Sequence, residues 1–209
     1  MTGSLLGIII IASIVYYYFH RVGMSVTNKS RSLLTSVIHN QEGFNPDLEY
    51  QTFKADAAIA IDQAAGKICL AYGTDTPIKA ENQIKIKIID YKEILEVQIF
   101  ENYSIVEYTS RQSKIGQDLL NNLAEREPSL ALGRDAPKDI AKSIPKVNTI
   151  FICILVNNPN ATFYVFEFMM LKFACEKDDP KYIEGMRTAR HWYDMIRELM
   201  NRADKEDKQ

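Results

Sequence analysis

The sequence is poor in the residues that build metal and redox sites. Its 209 residues include three histidines and three cysteines, and no two cysteines form a CxxC pair. Zinc sites need Cys, His or acidic ligands at close, matched spacing, so no metal site is predicted. Cys69 and Cys153 lie within apolar runs, and Cys175 stands apart from both. We expect reduced, packed thiols in a cytoplasmic compartment, with a disulfide as the alternative.

Catalytic motifs are absent as well. The sequence contains no GxSxG, no P-loop, no HExxH and no GxGxxG, the patterns of hydrolases, phosphate-binding loops, metalloproteases and dinucleotide sites. No catalytic residue and no cofactor is therefore predicted, and we expect a protein that is not an enzyme. The net charge of −2 at pH 7 gives no basic surplus, so a nucleic-acid partner is not expected either.

Charge is missing altogether from one stretch near the N-terminus, LLGIIIIASIVYYYF. A membrane span needs about 20 residues, which the run reaches within residues 1–22. The upstream residues lack the basic side chain of a signal peptide, and the run has no polar face that would suit a soluble core helix. We therefore predict an uncleaved transmembrane anchor over residues 1–22. Its apolar and aromatic residues are Leu5, Ile8, Ile9, Ile10, Ile11, Ile14, Val15, Tyr16, Tyr17, Tyr18 and Phe19.

The orientation of this anchor follows from the charges beside it. Arg21, Lys29 and Arg31 follow the apolar run, and no acidic residue occurs before Glu42. Basic residues favour the cytoplasmic side of a membrane, so the N-terminus is predicted outside and the C-terminal body inside. The same three residues can contact anionic headgroups or can serve only to set the topology, and both interpretations stay open.

The residues after the anchor predict a neck and then a run of short strands. Residues 23–50 form a polar neck with a short helix that carries Leu33, Leu34, Val37 and Ile38, capped by Ser32, and a loop over Gln41–Tyr50. Alternating apolar residues then predict five antiparallel strands. The strands are Phe53–Asp62, Lys67–Tyr72, Gln83–Ile89, Ile94–Phe100 and Tyr103–Ser110.

Residues 111–146 interrupt this pattern and form an insertion. Ile115, Leu119, Leu120 and Leu123 recur at helical spacing and predict an amphipathic helix whose apolar stripe must be covered. Long excursions from a compact domain are usually functional or disordered. The stripe is therefore the candidate partner surface, and the alternatives are that it packs on its own domain or that the insertion is flexible filler.

The C-terminal third predicts two more strands and a closing helix. The strands are Val147–Val156 and Ala161–Met170, followed by a connection over Leu171–Asp179, a helix over Lys181–Ala203 and a charged tail at 205–209. Seven antiparallel strands and one C-terminal amphipathic helix indicate an α+β fold. We predict a pleckstrin-homology (PH)-like barrel or bent sheet over residues 51–204, closed by that helix, with the helical insertion between strands 5 and 6. Another α+β meander is the alternative.

Four segments and the dipeptide Ser110–Arg111 carry a resemblance to a known group. The segments are AIAIDQAAGKICLAYG, YKEILEVQIFENY, VNTIFICILVNNPNATF and ARHWYDMIRELMNRAD. Over Phe53–Ser110 and Val147–Asp204 the chain resembles a loosely defined group of small bacterial and phage proteins that join an N-terminal membrane segment to a PH-like domain. These relatives often carry a Gly-rich middle segment, where this chain has the charged GQDLLNNLAEREPS. The resemblance implies a bacterial inner membrane and no established catalytic residue.

Together these features predict a single-pass, membrane-anchored scaffold with a cytoplasmic PH-like interaction domain. Its partners would be the lipid bilayer and a protein, either a different chain or another copy of itself. No specific lipid headgroup is predicted, because the QAAG loop has only Lys67 beside it. Asp62 is expected to form a turn, and Glu93 and Glu96 to lie at strand ends or on outer faces. The alternatives are an anchored enzyme with dispersed site residues, or a membrane-acting sensor or effector in phage or mobile-element conflict.

Overall fold

The computed structural model describes residues 27–126 and 145–209. The predicted anchor at 1–22, with Arg21, and most of the second half of the insertion lie outside the described residues. The described residues form two compact units. The first unit comprises residues 27–65 and 69–88, and the second comprises 66–68, 89–126 and 145–209. Within the described ranges, no helix combines the length and apolarity needed to cross a bilayer.

The first unit consists of one helix packed on a four-stranded antiparallel sheet. Residues 27–39 are helical and form α1. The strands are β1 (Leu48–Gln51), β2 (Ala57–Asp62), β3 (Lys67–Gly73) and β4 (Ile84–Asp90), paired in the order β1-β2-β3-β4. Leu34 and Ile38 of α1 lie in one buried cluster with Ala58, Ala60 and Ala71 of the sheet. The small alanines allow the helix to approach the sheet closely. The burial of Leu34 and Ile38 against the sheet confirms the predicted helical spacing of the apolar residues.

Two predictions about this unit are wrong. Ser32 is not the first cap of the helix, because residues 27–31 are already helical. The segment predicted as a loop over Gln41–Tyr50 contains most of β1, which pairs with β2 from Leu48↔Ile61 to Gln51↔Ala58. The four residues LEYQ have no apolar alternation of their own, so their strand conformation depends on this pairing. The turn role of Asp62 is confirmed: its carboxylate accepts the N–H groups of Asn45 and Ala65, each at 2.8 Å.

The second unit consists of another four-stranded antiparallel sheet and two helices. Its elements are β5 (Ile94–Glu101), β6 (Ser104–Ser110), α2 (Lys114–Arg126), β7 (Lys146–Val156), β8 (Phe163–Glu176) and α3 (Pro180–Glu206), with strand order β6-β5-β7-β8. The helix α3 packs on β5, β7 and β8. Its buried stripe includes Met186, Ala189, Trp192, Tyr193, Ile196, Met200 and Ala203. The closing amphipathic helix is therefore confirmed. It begins at Pro180, one residue before its predicted start at Lys181, after an Asp179 cap.

The prediction of seven strands in one barrel is wrong. Within residues 27–126 and 145–209, eight strands form two four-stranded sheets. The reason lies in β5, which pairs with β6 on one edge and β7 on the other and so leaves no edge for β4. The strand β8 also continues to Glu176, through most of the segment predicted as a connection. Likewise α3 continues to Glu206, beyond its predicted end and into the predicted tail.

Of the three cysteines expected to be packed, Cys69 and Cys153 are buried and Cys175 is half-buried. Cys69 is fully buried in the core of the first unit, and Cys153 is 6% exposed in the second. Burial raises the pKa of each thiol to about 12, so both stay protonated and weakly reactive at neutral pH. All three cysteines are free thiols.

Candidate interaction site at the helical insertion

The insertion begins at a buried arginine. The strand β6 ends at Ser110, and the next side chain, Arg111, is only 2% exposed. Its Nε donates to Asp204 Oδ1 at 2.5 Å, and its Nη2 donates to Asp207 Oδ2 at 2.6 Å. A buried guanidinium is tolerated only when its charge is paired and its N–H groups are bonded. Two carboxylates from the end of α3 provide that pairing.

Ser113 joins this group and caps the insertion helix. Its Oγ donates to Asp207 Oδ2 at 2.5 Å and accepts the N–H of Gly116 at 3.0 Å. The second contact is that of a helix N-cap, which satisfies an otherwise unpaired N–H of the first turn. We refer to Arg111, Ser113, Asp204 and Asp207 as the Arg111 cluster. Through it, the first turn of α2 is fixed to the last turn of α3.

The electrostatics of the cluster favour the ionised form of Asp204. Burial alone would raise the pKa of Asp204. The hydrogen bonds from Arg111 and from the backbone N–H groups of Gln112 and Ser113 outweigh it and hold this pKa below the usual range. The N–H of Gln112 lies 2.6 Å from Asp204 Oδ2. Asp204 is therefore ionised and hydrogen-bonded at neutral pH.

This lowered pKa predicts a pH dependence of stability. A carboxyl whose pKa is lower in the folded state contributes stability above its unfolded pKa, and that stability is lost as the pH falls through the folded pKa. We expect Asp204→Asn to be less stable than wild type at pH 7, with the gap narrowing as the pH falls below about 4. Urea unfolding followed by Trp192 fluorescence at pH 7 and at pH 3 measures the gap. A gap of equal size at both values would contradict the charged state of Asp204.

The tight packing beneath the cluster requires a glycine at position 116. A Cβ added to Gly116 would collide with the Cβ of Arg111 and would lie 3.0 Å from Ser113 Oγ. We expect Gly116→Ala to destabilise the second unit by about 1–3 kcal/mol, as overpacking usually does, despite the better helix propensity of alanine. Asn122→Ala on the exposed face of the same helix is the control, and it should leave the urea midpoint nearly unchanged. Equal midpoints for the two variants would show that the helix can shift away from Arg111.

The predicted apolar stripe of α2 is divided between the interior and the surface. Leu120 and Leu123 are buried in a cluster with Leu95, Cys153 and Leu155 of the adjoining sheet, and Leu119 is partly buried beside it. Ile115 is 53% exposed. The sheet of the second unit therefore covers the C-terminal part of the stripe. The N-terminal part, next to the Arg111 cluster, presents an apolar side chain to solvent.

A second buried carboxylate fixes the other end of α3. Glu101, 3% exposed at the end of β5, accepts hydrogen bonds from Lys177 Nζ at 2.5 Å and from Tyr182 Oη at 2.6 Å. Burial, followed by the bond to Glu101, raises the pKa of the Tyr182 hydroxyl. The three groups satisfy one another, and together they hold the joint between β8 and α3.

The prediction that Glu96 lies on an outer face or at a strand end is wrong. It is fully buried and accepts hydrogen bonds from Gln98 Nε2 at 2.5 Å and from Ser110 Oγ. Nearly every residue of the central strand β5 is buried, so alternation along the sequence does not identify an outer face there.

Sequence reasoning missed the Arg111 cluster. In the sequence, Arg111 is the first residue of the predicted insertion, and Asp204 and Asp207 lie near the charged C-terminal end. They are separated from Arg111 by 93 and 96 residues, and such a pairing has no local signature. One signal is visible in the sequence: a charged residue lies at or just beyond the end of an apolar element, as Arg111 does after β6. This position suggests that the charge is paired, but it does not identify the partner.

The remaining predicted site residues are placed as follows. Lys29 and Arg31 are exposed on α1, and the predicted anchor residues and Arg21 lie outside the described residues. Across residues 27–126 and 145–209, no group of three His, Cys, Asp or Glu side chains is arranged to hold a metal ion.

Comparison with known proteins assigns the middle of the chain to a family. A family model described as "Glycine zipper containing PH domain" matches residues 48–170, which is more than half of the chain. The match begins at the first residue of β1 and ends within β8. No match is found among curated proteins or among solved structures. Between β6 and β7 the sequence has two glycines, Gly116 and Gly133.

Proposed function

The chain belongs to the family of glycine zipper containing PH domains, and we propose that it is a non-enzymatic interaction scaffold held at the cytoplasmic face of a bacterial inner membrane. Its two antiparallel sheets and C-terminal helix agree with a PH-like fold. A PH-like fold suggests an interaction role, and function must still be argued from the site. In this chain the site is the N-terminal half of α2.

The observation that carries this proposal is the fixed position of α2. A flexible loop would need no buried ion pair, yet Arg111 and Ser113 fix the first turn of α2 to Asp204 and Asp207. Leu120 and Leu123 hold the following turns against the sheet. Ile115 is thereby held at a defined place on the surface. Preorganised apolar side chains of this kind lower the entropic cost of association.

The membrane part of the proposal rests on the sequence of residues 1–22. Their uncharged run, the tyrosines at its end and the basic residues beyond it support an anchor with the domain inside the cell. An anchor confines the scaffold to two dimensions, which raises its effective concentration for partners at the same surface. Flotation of the full-length chain with vesicles, compared with a chain that lacks residues 1–22, tests this part.

We expect Ile115→Asp to weaken association while leaving folding intact. A charge at this exposed position removes an apolar contact and adds a desolvation cost in any interface that covers it. The matched control is Ile183→Asp, because Ile183 is also an exposed helical isoleucine with the same 53% exposure. Full-length protein in mild detergent is compared by native mass spectrometry and by pull-down from its native membrane.

The outcomes separate the site from a general surface effect. Loss of companions in Ile115→Asp, with Ile183→Asp unchanged, supports α2 as the contact. Equal behaviour of the two variants and the wild type would show that α2 is not the interaction site.

A further inference from the structure

Four charged residues accompany Ile115 on the side of α2 that faces away from the sheet. The other side is fixed, because Leu120 and Leu123 are buried against the sheet of the second unit. With about 3.6 residues per turn, the charged residues fall mainly on the opposite side of the helix. All of them are exposed, and together with Ile115 they form what we call the outward face of α2: Lys114, Ile115, Asp118, Glu125 and Arg126.

The four charges of the outward face form no ion pair with the residues that the structure describes. Exposed ion pairs do occur elsewhere in the second unit, such as Arg197 with Asp194 at 2.8 Å. On α2 itself, Lys114 and Asp118 are four residues apart, a spacing at which opposite charges often meet, yet they form no pair. The charges of the outward face are therefore open to a partner.

Two pairs of residues lie along the axis of α2 on this face. Lys114 and Glu125 are eleven residues apart, and so are Ile115 and Arg126. Eleven residues make about three turns of a helix, so the two members of each pair lie almost in line. The midpoints of both pairs lie within one residue of Leu120. One line therefore has a positive and a negative end, and the other has an apolar and a long cationic end.

This arrangement is complementary to itself when two copies of α2 lie antiparallel. A two-fold axis near Leu120 brings Lys114 of each copy beside Glu125 of the other. The same axis brings Arg126 beside Ile115, where the aliphatic part of an arginine can cover an apolar side chain. A parallel pair would instead place each lysine beside a lysine and each glutamate beside a glutamate, and such like-charge contacts are unfavourable. The charges therefore favour an antiparallel second copy.

The contact is small for a protein dimer. The helix α2 has 13 residues, which is about 20 Å of helix, and one side of it carries the contact. Stable specific interfaces usually bury about 800 Å² on each partner, and one side of so short a helix offers less. The pairing therefore gains most when an anchor confines both copies to one membrane and raises their effective concentration.

We propose that the outward face of α2 binds the same face of a second copy of this chain, in an antiparallel pair with its two-fold axis near Leu120. Lys114 of each copy pairs with Glu125 of the other, and the stem of Arg126 covers Ile115. This dimer rests on the proposed function, in which α2 is the contact, and it adds the identity of the partner. A contact between identical faces closes on itself, so it yields dimers and not filaments.

The test compares two charge reversals, Lys114→Glu and Glu125→Lys, in full-length protein in mild detergent. Each reversal alone places like charges side by side twice in a dimer of identical copies, so we expect the dimer dissociation constant to rise about tenfold or more. When the two variants are mixed, a dimer with one copy of each has opposite charges at both contacts, so it should regain wild-type affinity. Native mass spectrometry over a dilution series resolves this mixed dimer when one variant carries a tag.

The matched control is Lys181→Glu, because Lys181 is also an exposed helical lysine but lies at the start of α3. This variant changes the net charge by the same amount as Lys114→Glu, and it should dimerise like the wild type. Urea unfolding followed by Trp192 fluorescence checks the fold of every variant. The midpoints should stay close to that of the wild type, because the reversed side chains are exposed.

The outcomes distinguish this dimer from the proposed function. Weakened dimers of each variant, with the mixed dimer restored, support the proposal. Variants that dimerise like the wild type overturn it, and so does a weakening that mixing does not restore. If both variants instead lose a different companion protein, the dimer is overturned while α2 remains the interaction site. A wild-type chain with neither a second copy nor a companion overturns the dimer and the proposed function together.

Discussion

Replacing Arg111 with methionine is expected to destabilise the second unit by about 3–5 kcal/mol, the usual cost of breaking a buried ion pair by removing one partner. Arg111 is 2% exposed and Asp204 is 6% exposed. Methionine fills a similar volume but leaves Asp204 buried without its cation. Urea unfolding of the full-length protein in mild detergent measures the loss. Trp192 is the single tryptophan of the chain and lies in α3, so its fluorescence reports on this unit.

Two further variants identify the cause of this effect. Arg111→Lys keeps the charge but loses the fork that reaches both Asp204 and Asp207, so an intermediate loss is expected. Adding Asp204→Leu to Arg111→Met removes the orphaned charge, and such a replacement often recovers much of the stability. If Arg111→Met alone changed stability by less than about 1 kcal/mol, the pair would be far more hydrated than its burial indicates.

Replacing Leu120 with alanine is expected to cost about 2–5 kcal/mol, as truncations of a buried leucine do. Leu120 is 3% exposed and packs with Leu95 and Leu155 of the sheet. Ile115→Ala on the same helix is the matched control, because its side chain is half exposed, and a change within about 0.5 kcal/mol is expected. The same Trp192 unfolding experiment compares the two variants.

This comparison distinguishes two uses of one apolar stripe. A large loss at Leu120 with none at Ile115 means that the domain covers one half of the stripe and leaves the other half open. Similar small losses at both positions would mean that α2 is not packed on its own sheet and does not hold Ile115 at a fixed place on the surface.

The elements with strong local patterns could be predicted from sequence. The alternation in β4, the apolar run of β7 and the apolar stripe of α3 are more regular than the sequence of a loop. The predicted bounds of these three elements are close to the observed ones. The short strand LEYQ was missed because its conformation depends on pairing with β2. The single barrel was wrong because local alternation cannot indicate that β5 uses both of its edges inside one sheet.

The candidate site was only partly predictable, for a related reason. Helical spacing identified Ile115 and Leu120 as members of one stripe, but it could not separate the exposed residue from the buried one. Which of the two residues is buried depends on the sheet beneath α2. It depends also on the rotation of α2 about its own axis, which the Arg111 cluster fixes. The partners of Arg111 lie on another element at the far end of the chain, and only the tertiary fold brings them together.

The central claim is that this chain acts by assembly at a membrane. The most direct test is native mass spectrometry of the untagged full-length protein, extracted from its native membrane in mild detergent without crosslinking. The account predicts particles that contain more than one protein chain, either several copies or a copy with a stable companion. A single chain without companions at every concentration tested would contradict it.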